Sequence, residues 1–142
     1  MRSLSLACPE LVEGKGPKGV TLMNTKTTGD YGEEKAAQYL VNQGYSIIER
    51  NFRTKGGEVD IIALKDNVVV FVEVKSLPNG SPELLQTELN SRKLQRIVKS
   101  SKCFLLKHRQ YSNSYVRYDV IVIDMPGMPD VYHIENAFTE LL

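Results

Sequence analysis

A chain of 142 residues, 42% hydrophobic and 25% charged, suits one domain and is too short for two with separate cores. No apolar run approaches the roughly 20 residues that span a bilayer, and the composition excludes collagen-like and wholly disordered chains. The net charge of +1 conceals a segregation: residues 91–118 carry eight of the 18 cations, Arg92, Lys93, Arg96, Lys99, Lys102, Lys107, Arg109 and Arg117, and none of the 17 acids. Such a stretch suggests a face for a polyanion, with a solvated helix face as the plainer alternative. Two widely separated cysteines, Cys8 and Cys103, and two histidines, His108 and His133, cannot build a disulfide framework or a four-ligand structural zinc site. A reducing, cytosolic setting is the expectation.

The first two dozen residues lack any helical or strand period and are punctuated by Pro9, Gly14, Gly16, Pro17 and Gly19. Residues 1–27 therefore read as a disordered tail and 28–142 as the domain. The short apolar stretch at 4–8 falls below what a secretion signal needs, and Ser5 sits where a lipoprotein signal wants an aliphatic residue. Met23 is a candidate translation start.

Asp30 and Glu33 have the spacing of a capping box, and Ala36, Ala37, Leu40 and Val41 follow at helical intervals, so a helix is expected from Asp30 to a stop at Gly44. Residues 46–52 read as a strand and 53–57 as a glycine-bearing loop. Strands are expected at 58–65 and 68–75, joined by Asp66-Asn67, residues that tolerate the left-handed conformations of a tight hairpin. After a loop at 76–82, one long helix is expected over 83–107, with Leu85, Leu89, Leu94, Ile97, Val98, Cys103, Phe104 and Leu105 facing a core. The apolar run at 116–123 suits an interior strand, 130–134 a short edge strand, and 136–142 one or two helical turns.

The Asp66-Asn67 hairpin fixes a register. If Lys65 pairs with Val68, Asp60 lies opposite Glu73 and Glu58 opposite Lys75, all four on one face. Two carboxylates about 5 Å apart at an effective dielectric of about 20 repel by about 3 kcal/mol. A hard divalent cation would offset this, as would protonation of one acid or neutralisation by Lys75 and Lys65. His133 reads as a packing or hydrogen-bonding residue and Cys103 as a small core residue. Tyr111, Tyr115 and Tyr118 read as core or rim aromatics, with base stacking as the alternative.

The strings G-G-E-V-D-I-I at 56–62 and V-F-V-E-V-K at 70–75 resemble the YraN family of small bacterial proteins, which carries the E-x-D and E-x-K elements of the PD-(D/E)xK nuclease superfamily. G-D-Y-G-E-E-K-A-A-Q-Y-L at 29–40, R-N-F-R at 50–53, Lys93, R-Y-D-V-I at 117–121 and H-I-E-N-A-F at 133–138 extend the resemblance over most of the domain. The resemblance implies an α/β, restriction-endonuclease-like core, a central mixed sheet flanked by helices. In the spacing of helix glutamate, strand aspartate and E-x-K it is similar to archaeal Holliday-junction resolvases.

By that resemblance, Asp60, Glu73 and the Val74 carbonyl would bind Mg²⁺ or Mn²⁺, and Lys75 would orient or deprotonate an attacking water. Glu33 would reach the metal through water, its other role being the capping box. Glu58 is expected beside Lys75 or in support of the site, and Arg53, Lys93 and Arg96 against backbone phosphates. Ser76-Leu77 replaces the hydroxyl or aromatic residue and arginine commoner after E-V-K in the family. The implied activity is metal-dependent hydrolysis of structured or branched DNA in recombination or repair; the rival is a nucleic-acid-binding protein that keeps the fold without catalysis. Paired cuts in a junction would call for paired sites, hence a homodimer.

Overall fold

A computed structural model describes residues 25–140. The expected tail up to residue 24, the candidate start at Met23 and the last two residues lie outside them. In chain order the elements are α1 (Thr25–Asn42), β1 (Ser46–Thr54), β2 (Gly57–Lys65), β3 (Val68–Ser76), α2 (Pro82–Glu88), α3 (Ser91–Lys107), a single 3₁₀ turn (Arg109–Tyr111), β4 (Tyr115–Ile123) and β5 (Val131–Phe138). The strands form one mixed sheet in sequence order. β1, β2 and β3 are an antiparallel meander, β4 runs parallel to β3 after the helical crossover, and β5 returns antiparallel along the edge.

Helices cover both faces, which is why the inner strands read as unbroken apolar runs rather than alternating ones. Ile61, Ala63, Val70, Val72, Ile121 and Ile123 pack against Ala36, Ala37 and Leu40 of α1. The intervening residues Ile62, Val69, Phe71, Val120 and Val122 pack on the other face against Ile97, Val98 and Phe104 of α3. Phe104 meets Phe52 and Phe71 edge-on, at centroid separations of 5.4 and 5.9 Å, geometry that favours the ring quadrupoles. Cys103 is buried in this layer, as its position on the apolar side of the helix implies.

The β2–β3 hairpin is as the sequence reading has it. Asp66 and Asn67 both take positive φ, 51° and 63°, and Lys65 pairs with Val68, the register running back to Ile61 with Val72. Gly44 also ends α1 as expected: at φ 93° it bonds its N–H to the Val41 carbonyl, while the Tyr45 N–H reaches the Leu40 carbonyl, a Schellman closure.

Four expectations are corrected. First, α1 starts at Thr25, so Asp30 and Glu33 lie inside the helix and form no capping box. Tertiary contacts hold the added turns: the Ser76 hydroxyl lies 3.5 Å from the Thr28 carbonyl, Gly32 packs against Ser76, and Lys35 pairs with Asp124 at 2.9 Å. Second, β1 continues to Thr54 and the loop shrinks to Lys55-Gly56. The Thr54 hydroxyl accepts the Gly56 N–H and lies 3.0 Å from Ser100 Oγ, tying the hairpin tip to α3.

Third, the single long helix is two. The Asn90 side chain accepts the Lys93 N–H at 3.0 Å and starts α3 afresh, while Ser81 caps α2 by accepting from Leu84. Side-chain caps compete with helix continuation wherever Asn or Ser can turn back on the backbone. Asn90→Ala is expected to cost about 1 kcal/mol, the usual loss of an N-cap, read as a lower urea midpoint with unchanged slope. Fourth, residues 136–138 extend β5 instead of beginning a helix. Tyr118 pairs with Phe138 and their rings stack 5.2 Å apart, so aromatic packing carries the edge strand to its end.

Candidate active site

The β2–β3 ladder stops at Ile61 and Val72, one rung short of Asp60 and Glu73. In place of that rung the Asp60 side chain turns onto β3, Oδ2 accepting the Val74 N–H at 2.8 Å. An extended residue sends its N–H and C=O to the same strand edge, so the Val74 carbonyl faces this fork too. Alternation with Phe71 puts Glu73 under α3, whereas β2 breaks its alternation at the fork, Val59 and Ile62 both packing under α3 and Ile61 on the α1 face.

Both acids are buried, Asp60 6% and Glu73 2% exposed. Burial above all, then the Glu73 charge, pushes the Asp60 carboxyl well above its ordinary value, against a smaller opposing pull from the Val74 N–H. Two lysines close the cluster. Lys93, in the first turn of α3, sets its Nζ 2.9 Å from Glu73 Oε2. Lys75 Nζ lies 3.8 Å from the same oxygen and 3.1 Å from Glu88 Oε1, at the end of α2. Burial works against the Lys93 charge, but the Glu73 carboxylate outweighs it and holds the ammonium above its usual value. Lys65 is no part of this balance: its Nζ donates to the Gln43 carbonyl at 2.7 Å.

Glu33 comes to the fork from α1, half-buried. Burial raises its carboxyl first, the neighbouring Asn51 amide and Arg50 draw it back, and its charge is felt at Asp60. Glu58 pairs with Arg53, its rung partner across β1 and β2, at 2.9 Å, and not with Lys75. Arg96 is exposed on α3, with its Cβ 3.0 Å from where a Cβ on Gly57 would stand. Gly57, at φ 154°, has no Cβ to keep the hairpin tip away from the helix. The fork therefore gathers Asp60, Glu73, Val74, Lys75 and Lys93 with Glu33 nearby, while Arg53, Glu58 and Arg96 lie on the outer surface.

The sequence reading missed two residues here. Glu88 becomes the Lys75 partner only because the helix breaks after it. Asn51 falls between the rungs Arg50 with Ile61 and Phe52 with Val59, hence opposite Asp60, and holds φ 55° inside a strand. Asn tolerates that conformation better than most residues, so an asparagine amid R-N-F-R was a signal available in the sequence.

A second polar cluster lies across β4 and β5. Asp119, fully buried, accepts two bonds from Arg117 at 2.8 Å each, one from the Asn136 N–H at 2.9 Å, and lies 2.7 Å from His133 Nε2. His133 Nδ1 is 3.3 Å from the Tyr39 hydroxyl of α1, in the hydrogen-bonding role expected of it. Tyr118 is buried and Tyr111 packs against the core, whereas Tyr115 is 74% exposed.

Among the described residues no helix is long and apolar enough to cross a membrane. Comparison with known proteins gives a consistent result. Curated relatives, each named UPF0102 protein, include those of Treponema pallidum, 40% identical over 123 residues covering 84% of this chain and 98% of the relative, and Geobacter metallireducens, 42% identical over 117 residues covering 82% and 95%. That of Trichlorobacter lovleyi is 43% identical over 131 residues, covering 88% and 94%. The sequence signature described as uncharacterised protein family UPF0102 matches residues 32–123, from the middle of α1 to the end of β4 and so including the whole fork, and with relatives this similar over nearly their full length the chain belongs to that family.

Proposed function

We propose that this protein hydrolyses phosphodiester bonds in nucleic acid, acting on structured or branched DNA, with Mg²⁺ or Mn²⁺ at the fork of β2 and β3. The observation that supports it best is the burial of Asp60 and Glu73 together at the end of a ladder, with Lys75 and Lys93 against them. Two buried acids facing one another are costly to a fold, and such departures concentrate at functional sites.

The donor set suits a hard cation. Two carboxylates and the Val74 carbonyl offer oxygen ligands only, and Mg²⁺ typically takes one or two carboxylates and keeps several waters. Asp60, Glu73 and Val74 would hold it, and Glu33 would act through an intervening water. When bound, the cation would supply charge neutralisation at the phosphoryl oxygens and a more acidic water. Lys75, held by Glu88 and Glu73, donates hydrogen bonds to the attacking water and to the phosphoryl oxygens as charge grows on them. The water oxygen forms a bond to phosphorus, the bond to the leaving oxygen breaks, the proton lost by the water passes to solvent, and the leaving oxygen takes up a proton from solvent. Arg53, Arg96 and the exposed cations of α3 would hold flanking phosphates without reading sequence. Paired cuts in a four-way junction would use a homodimer, and the reaction belongs in the cytosol with the DNA.

Two observations favour the rival, a binding protein without catalysis. Lysines already balance Glu73, and among the described residues no three His, Cys, Asp or Glu side chains are grouped to hold a metal ion. Labelled linear, flapped and four-way-junction DNA, incubated with Mg²⁺ or Mn²⁺, separate the two. Cutting by the native chain, reduced at least about 10²-fold in Asp60→Asn and Glu73→Gln, is expected. Salt-sensitive binding that survives both substitutions, with no cutting of any substrate, would establish the binding protein instead.

A further inference from the structure

Lys93 stands where two demands on Glu73 meet. Its Nζ lies 2.9 Å from Glu73 Oε2, so an ammonium holds the carboxylate that the proposed cation would need. The contact is lopsided: Glu73's side chain is 3% exposed, whereas that of Lys93 is 39% exposed. The carboxylate is fixed within the sheet, while the lysine reaches it from the surface on a flexible four-carbon stem. Arg96, one turn on from Lys93 along α3, is exposed, as are Arg92 and Lys99 of the same helix, cations with which a phosphate backbone would pair.

We infer that Lys93 is a positioning residue that couples the two ligands of this site, pairing with Glu73 in the free protein and transferring to a substrate phosphate, which releases Glu73 for the divalent cation. The inference rests on the nuclease reading above and adds the order of events to it. A cation and the Lys93 ammonium compete for one carboxylate, so cation binding to the free protein is weakened. A nucleic acid that draws Lys93 away removes the competitor. Linkage makes the effect reciprocal: the cation must raise affinity for the nucleic acid by the same factor that the nucleic acid raises affinity for the cation.

Glu88 supplies the contrast. Lys75 is nearer Glu88 than Glu73, 3.1 against 3.8 Å, so it is tied to a partner outside the acid pair and can stay beside Glu73 without blocking it. Among the described residues Lys93 pairs with no acid but Glu73. Of the two lysines it is the one placed to leave.

The test is Mn²⁺ binding, followed by electron paramagnetic resonance and calorimetry on the full chain, with and without a short duplex DNA. Only binding abolished by Glu73→Gln is counted, which removes the Mn²⁺ held by the DNA itself. Lys93→Met, which keeps the apolar stem and removes the charge, and Lys93→Gln as a second variant are compared with native protein after thermal melts show that both fold. Native protein alone is expected to bind Mn²⁺ weakly, and DNA to strengthen that binding by about 5- to 150-fold, the usual range of coupling between sites. Both Lys93 variants are expected to bind Mn²⁺ more tightly than native without DNA and to gain little on adding it. Equal Glu73-dependent binding by native and variant proteins, or a loss of binding in the variants, would overturn the coupling while leaving the metal site standing. Absence of Glu73-dependent Mn²⁺ binding in every protein would overturn the nuclease reading, and the coupling with it.

Discussion

Asp119→Ala is expected to cost about 3–5 kcal/mol, the largest loss of stability from any single side chain in the polar interior. Asp119 is fully buried and takes bonds from Arg117, from the Asn136 N–H and from His133, drawing β4, β5 and, through His133 and Tyr39, α1 onto one point. Alanine would leave the Arg117 guanidinium partly buried with Glu135, 3.1 Å away and largely exposed, as its remaining charged partner. It would also strand the Asn136 N–H, in a residue held at φ 54°. For a chain of this size the melting temperature should fall by about 10 °C or more. A fall of less than about 3 °C would mean that the cluster is locally replaceable by water.

The pH dependence of this cluster has a definite sign. Burial works against the Asp119 charge, but the bonds from His133, Arg117 and Asn136 outweigh it and hold the carboxyl below its ordinary 3.8. A carboxyl depressed on folding contributes stability above its unfolded value, and that contribution is lost as pH falls through the folded one. Native protein should therefore lose stability in acid more steeply than Asp119→Asn. Urea midpoints measured from pH 3 to 7 would show it.

Asp60→Asn is expected to act the other way, raising stability by about 1–2 kcal/mol near pH 7 while removing most of the cleavage proposed above. The Asp60 carboxyl is raised on folding, chiefly by burial and then by Glu73. Its contribution is complete below the unfolded value of 3.8 and is lost as pH rises towards the folded one, so at neutral pH the aspartate costs stability. Asparagine keeps an oxygen for the Val74 N–H, bonded at 2.8 Å in the native chain, and offers an N–H to Glu73 in place of a like charge. The difference between native and variant should vanish near pH 4 and widen to neutrality. An asparagine variant less stable than native at pH 7 would show that Lys75 and Lys93 already offset the acid pair in full.

Together the two substitutions separate acids by what their surroundings do to them. Asp119 is buried with more donors than it needs and serves the fold. Asp60 is buried with one backbone donor and a like charge, an arrangement that packing alone does not favour. That contrast carries more weight for the site than burial alone, since both are among the least exposed acids in the chain.

Much of this could be read along the chain because it is local. The Asp66-Asn67 turn sets the hairpin register through backbone geometry confined to two residues, and that register carries Asp60 and Glu73 to the same end of the two strands. Gly44 ends α1 for an equally local reason, as only a residue free of a Cβ takes φ 93° cheaply. The unbroken apolar run at 116–123 announced β4 as an interior strand. The helix ends were less legible. D-x-x-E has the spacing of a cap, but the same residues serve inside a helix when contacts with Ser76 and Asp124 pay for extending it.

What the sequence determined by itself was the pairing of β2 with β3, the interior character of β4 and the juxtaposition of the two acids. These follow from periodicity and turn chemistry, which act between near neighbours. Only the tertiary structure decided which cations reach those acids: Lys93 and Lys75 and not Lys65, with Glu88 holding Lys75, Asn51 facing Asp60, and Glu58 spent on Arg53. For Lys93 and Glu88 the reason is the break at Asn90, where one side-chain bond to the Lys93 N–H ends one helix and starts the next. That bond sets where α3 begins over the sheet, and the reach of a lysine depends on where its helix starts, which no pattern of charges along the chain encodes.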